Sequence, residues 1–189
     1  QHPDVFDLGS NGPCAAITMA QIDDEYVRFA GLGDCTAMVC ANGEWQLALP
    51  YDKHRKRHAE LDHILYEFIQ ELVSKDGVSL QDALQNPVVR EKVKAHRDLM
   101  NVEYGMFAAD KAASNFIQTQ QFSRDNVSAF CLFTDGMEGP EYPQEDYHDL
   151  ASDIQDMGFS EFYRVAILEV LNADHNFERF PRLKHIDDA

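Results

Sequence analysis

An α+β fold is what the sequence predicts, and three observations carry that expectation. The first fifty residues alternate apolar and polar positions between turn residues. The middle of the chain changes to apolar steps of three and four. The run "SAFCLF" (128–133) then returns to strand character before two more helical stretches. Strands, helices, a strand and helices again describe sheet cores with helices packed outside. At 189 residues and 44% hydrophobic, the chain suits one domain spanning 1–189 with a sizeable core.

The elements follow in order. "CAAITMAQI" and "EYVRFAGLG" read as the first two strands of a β-meander, joined at Asp23-Asp24. In the second, Tyr26, Arg28 and Ala30 lie on one side and Val27 and Phe29 on the other. "CTAMVCA" and "EWQLALP" flank Asn42-Gly43, the strongest short hairpin signal in the chain. "HAELDHILYEFIQELVSK" places Leu61, Ile64, Leu65, Phe68, Ile69 and Leu72 on one helical face, and Asp76-Gly77 ends that helix. "SLQDALQN" is a short helix with Ser79 as its cap, and Pro87 begins "VVREKVKAHRDLMN". "NVEYGMFAAD" looks extended, and "KAASNFIQTQQF" fits helix or strand equally. "QEDYHDLASDIQDM" and "SEFYRVAILEVLNA" are helices separated by Gly158, with Ser160 the N-cap of the second. Trp45 and the Phe and Tyr residues read as core.

Charge excludes several functions. With 33 acids against 16 bases the net charge is −17. A nucleic-acid partner needs a basic face, and anionic lipid needs the same, so neither is expected. No stretch approaches the roughly 20 apolar residues of a membrane span, and no signal peptide is visible. Cys14, Cys35, Cys40 and Cys131 form no CxxC pair or zinc-finger spacing. Free thiols in a reducing cytoplasm are therefore expected. The start "QHPDVFDLGSNGP" reads as a loop already under way, and a segment of a longer protein is the expectation. His54 and His58 have the i, i+4 spacing that holds zinc, but Lys53, Arg55, Lys56 and Arg57 surround them, and a solvated basic face is the preferred reading.

Three acidic points share one context. Asp34 follows "VRFAGLG" beside Gly33. Asp135 follows "AFCLFT" and precedes Gly136. Asp187 and Asp188 follow "RLKHI". Each alone also reads as a turn residue or a solvated acid. Together they place short, rigid carboxylates at the borders of apolar runs, where oxygen ligands for a hard divalent cation are needed. Glycine beside the acid lets backbone approach an ion closely.

The ordered set "GPCAAITMAQ", "VRFAGLGDCTAMV", "HRDLMN", "FCLFTDGMEG" and "HIDDA" resembles the metal-dependent protein phosphatases, the type 2C serine/threonine phosphatases, and their bacterial branch most closely. Gly33-Asp34-Cys35 matches a Gly-Asp-Ser/Cys after a strand, and Thr134-Asp135-Gly136 a Ser/Thr-Asp-Gly after a buried strand. Asp187-Asp188 matches a closing Asp-Asn/Asp, and Arg97 to Asn101 a bacterial Arg-x-x-Met-Asn. The matches are short but span nearly the whole chain. The resemblance implies a single phosphatase-like domain built as a four-layer α-β-β-α sandwich, incomplete at both ends. It implies that Asp135 and Asp187 are catalytic, ligating a pair of Mn2+ or Mg2+ ions, and that Asp34 with Asp135 serves a third. It implies a cytoplasmic signalling hydrolase in which metal-activated water attacks a phosphoserine or phosphothreonine of a protein substrate, with a regulatory protein as further partner. His185, close to Asp187, reads either as a surface or packed histidine or as a proton donor to the leaving alkoxide. The family's early Asp-Gly metal motif has no counterpart: Val5 and Leu8 follow Asp4 and Asp7. A degenerate phosphatase fold that binds a partner or phosphoprotein is the alternative.

Overall fold

A computed structural model describes residues 12–50, 52–77, 80–134, 137 and 148–173. Asp135, Asp187 and His185 lie outside them, as does Ser79. The chain divides into two compact units, one of Ala16–Tyr51 with Ile117–Ala189 and one of Gln1–Ala15 with Asp52–Phe116.

The first unit holds two antiparallel sheets of three strands each, ordered β1-β2-β5 and β4-β3-β6. The strands are β1 Ile17–Ile22, β2 Tyr26–Leu32, β3 Thr36–Ala41, β4 Glu44–Leu47, β5 Gln118–Ser123 and β6 Val127–Phe133. β1 and β2 form a hairpin whose turn is held by Asp23, which accepts from the Glu25 and Tyr26 backbone N–H groups at 2.9 and 2.7 Å. Arg28 also donates to that carboxylate and, with those bonds, holds it at about 2. Asn42 and Gly43, at φ 55° and 86°, turn β3 into β4, the positive-φ pair that a two-residue hairpin requires. The meander expected over the first fifty residues is corrected, because β2 and β3 do not pair. The chain crosses between sheets at Gly33–Cys35, since each hairpin buries a different face.

Alternation sets the layers. Val27 and Phe29 of β2 face Ala37 and Val39 of β3 in one buried cluster, which Phe130 and Leu132 of β6 complete. Phe29 packs edge-on against Phe122 of β5 and Phe130, ring centres 5.9 and 5.6 Å away. The alternate residues Met38, Cys131 and Phe133 face helices instead, packing with Leu150, Ile154, Phe162 and Ile167. β3 is buried along its whole length because it is covered on both faces. β6, at the edge of that sheet, is buried only at Val127 and Phe133 and half-buried over Ala129–Leu132 between them, and its apolar run supplies residues to both faces.

The covering helices are α4 (His148–Met157), α5 (Phe159–Phe162) and α6 (Val170–Ala173), the last two joined by a π-helical stretch over Tyr163–Glu169. Ser160 is not the N-cap. α5 starts two residues earlier than that cap would set, at Phe159 after Gly158 at φ 79°, with no side-chain cap. Trp45 is half-buried against this layer and donates its indole N–H to Gln155 Oε1 at 2.8 Å. Phe107 and Phe159, expected in the core, are exposed. The described residues of this unit show a sheet-sheet-helix stack.

In the second unit, α1 (Lys53–Asp76) packs with α2 (Leu80–Gln85) and α3 (Pro87–Arg97). Asp52 caps α1 by accepting from the N–H groups of His54 and Arg55, and Gly77, at φ 63°, ends it. Asn86 caps α3 with Pro87 in the first turn. Leu65, Ile69, Ala83 and Val89 are buried, whereas Ile64 on the expected apolar stripe is exposed. Lys92 of α3 lies 4.4 Å above the Phe68 ring of α1. Residues 101–110 are turns with isolated bridges, not the extended segment expected. Asn101, at φ 59°, accepts from the Met106 N–H and donates its own backbone N–H to the Tyr104 carbonyl.

Candidate functional site

Of the three acidic points, Asp34 alone is described. It is half-buried in the Gly33–Cys35 crossing, where Gly33 takes φ 93°. β3 then begins at Thr36, fully buried and paired with Phe133 of β6. The ladder runs Thr36↔Phe133, Ala37↔Leu132, Met38↔Cys131, so its open end carries the Asp34 crossing on one strand and Thr134 on the other. Met137, buried in the helix-side cluster, donates its N–H to the Thr134 carbonyl at 3.0 Å. The other crossing, Arg124–Asn126, leads from β5 into β6 at the opposite end of the ladder, where Ser123 pairs with Tyr26 and Val127 with Ala41. This is the structural use of "SRDNVSAF". Asp34 does not belong to any group of three or more ligand-type side chains among the described residues.

The thiols supply no nucleophile on β6. Cys131 faces the helix layer, and burial pushes its thiol up to about 11. It stays protonated at neutral pH. In the native protein at pH 8, Cys131 is expected to resist iodoacetamide and to react after unfolding; peptide mapping that finds it alkylated as fast as an exposed thiol would contradict its placement.

A different convergence lies in the helical unit. His58 of α1, Asp62 one turn later and His96 of α3 bring three ligand-type atoms within 4.8 Å of one another. His58 Nε2 is 3.5 Å from Asp62 Oδ2, and His96 Nδ1 is 3.5 Å from Asp62 Oδ1. The Tyr104 ring stacks on His58 at 4.3 Å, nearly parallel, and its hydroxyl donates to the His96 carbonyl at 3.2 Å. The two imidazoles are only 14% and 12% exposed, while Asp62 is 51% exposed. His96 Nε2 is buried with no hydrogen-bond partner among the described residues. Burial lowers the pKa of His96, Asp62 opposes that shift, and His58, Arg57 and Arg97 add to it.

This arrangement corrects the reading of the basic stretch. His54 and His58 do not act as a pair: His54 Nδ1 meets the Glu103 carbonyl at 2.9 Å and its ring packs on Phe116. Nor is the stretch a uniformly solvated face, because Arg55 is buried and Arg57 is paired with Glu60 and Glu103. The i, i+4 relation of His58 to Asp62 was readable in sequence. His96 was not, because it arrives only through the packing of α3 on α1.

No protein-family model matches this chain, and neither does any curated protein or solved structure. No helix among the described residues is long and apolar enough to cross a membrane.

Proposed function

We propose that the chain carries out metal-dependent hydrolysis of phosphoserine or phosphothreonine in proteins, using Asp34, Asp135 and Asp187 as oxygen ligands. The observation that supports this reading is the β3–β6 register, whose open end carries both the Asp34 crossing and the strand leading to Thr134-Asp135-Gly136. Two stacked antiparallel sheets with helices over one of them agree with the sandwich that the motifs imply; the fourth layer belongs to the proposal.

Mn2+ or Mg2+, when bound, would supply Lewis acidity and offset the charge of the phosphoryl group. The chain's own contribution is rigidity. β3 is covered on both faces, so the Asp34 crossing that leads into it has little freedom to drift. Asp is short, and from such an end its oxygens are held by few rotatable bonds. Gly33 keeps the crossing free of side-chain bulk next to Asp34. His185 is proposed to protonate the departing Ser or Thr oxygen.

The full-length protein is expected to release phosphate from a phosphothreonine peptide with Mn2+, to lose that activity in EDTA and to regain it when Mn2+ is restored. Turnover that survives chelation, or full-length protein with no turnover at all, would overturn the reading.

A further inference from the structure

We propose that His58, Asp62 and His96 form a second, chemically distinct metal site, taking a zinc-class cation through two imidazoles and one carboxylate with a fourth position open to solvent. It is independent of the phosphatase reading, since it lies in the helical unit and uses none of those acids.

The spacing carries the inference. Both imidazole-to-carboxylate gaps are 3.5 Å, longer than a usual N–H···O hydrogen bond. Zinc bonds of 2.0–2.1 Å meeting at the tetrahedral angle separate neighbouring ligand atoms by about 3.4 Å. Each imidazole nitrogen therefore stands about that far from an Asp62 oxygen, His58 from Oδ2 and His96 from Oδ1, and one ligand atom from each of the three residues lies within 4.8 Å of the others. Nitrogen ligands also select the ion: imidazole suits zinc and its neighbours, whereas manganese and magnesium favour all-oxygen sites.

The surroundings fit a ligand role. His58 and Asp62 sit one turn apart on α1 and share a face. Tyr104 holds the His58 ring by stacking, and Asn101 holds the Tyr104 turn through the hydrogen bond between Asn101 N–H and the Tyr104 carbonyl. Arg57, which precedes His58 in the chain, is paired with Glu60 and Glu103. The exposed Asp62 leaves one side of the cluster open to solvent for the fourth ligand.

Calorimetric titration of chelator-stripped, full-length protein with ZnCl2, repeated with Co2+ to read ligand-field absorption, tests the site. The wild type is expected to bind one zinc equivalent that Asp62→Asn weakens at least tenfold and His58→Ala removes, with Co2+ giving the intense visible bands of a four-coordinate ion. Asp34→Asn should leave that equivalent in place. Asp62 is exposed, so Asp62→Asn should keep the native circular dichroism and remain informative even where His58→Ala fails to fold. Wild-type protein that takes up no zinc, or Asp62→Asn protein that binds it as tightly as wild type, overturns the proposal.

Discussion

Asp135→Asn in the full-length protein is expected to reduce manganese-dependent phosphate release by more than about 100-fold, because even groups that only orient metal ligands typically cost 10–100-fold when removed. Asparagine keeps the size of the side chain and removes the charge, so folding should be unaffected and the loss should appear in kcat. The resemblance gives Asp135 to both the catalytic pair and the third ion, which makes it the position with the largest effect. Asp34→Asn should cost less, since the resemblance gives it only to the third ion. The measurement is steady-state release from a phosphothreonine peptide across a Mn2+ series. Turnover of Asp135→Asn protein at the wild-type rate would remove the proposed site altogether.

The second large effect is on stability. Phe29→Ala should cost about 3–5 kcal/mol, the usual range for deleting a buried Phe. The ring is 1% exposed and sits between the sheets, edge-on to Phe122 of its own sheet and Phe130 of the other. Its removal opens a cavity between two sheets that cannot easily close, since β3 is held from its opposite face by the helix layer. Domains are stable by only about 5–15 kcal/mol, so the variant should approach marginal stability. Urea unfolding followed by circular dichroism reads the shift in midpoint. A change below about 1 kcal/mol would show that Phe29 does not join the two sheets.

Much of the local structure was readable because its causes are local. The Asn42-Gly43 turn, the Gly77 helix end and the Pro87 helix start follow from backbone preferences of single residues. The alternation of Tyr26, Arg28 and Ala30 against Val27 and Phe29 also held, since one face of β2 is buried and the other is not. Ser160 failed as a cap because Gly158 had already freed the preceding turn, so the helix began at Phe159. The meander failed because adjacency in sequence does not decide which strands pair. Hairpins β1-β2 and β3-β4 satisfy the same patterns whether they share a sheet or face each other.

Sequence by itself determined the elements, their turns, the acidic balance and the order of the motifs that resemble a phosphatase. Tertiary structure alone decided that β2 and β3 lie in different sheets, that Asp34 sits at the end of the ladder leading to Thr134, and that His96 reaches His58 and Asp62. The physical reason is range. Turn and helix preferences act over a few bonds, whereas strand pairing and helix packing join residues far apart, here 36 and 133 or 58 and 96. Which distant surfaces bury one another is settled by the whole chain at once.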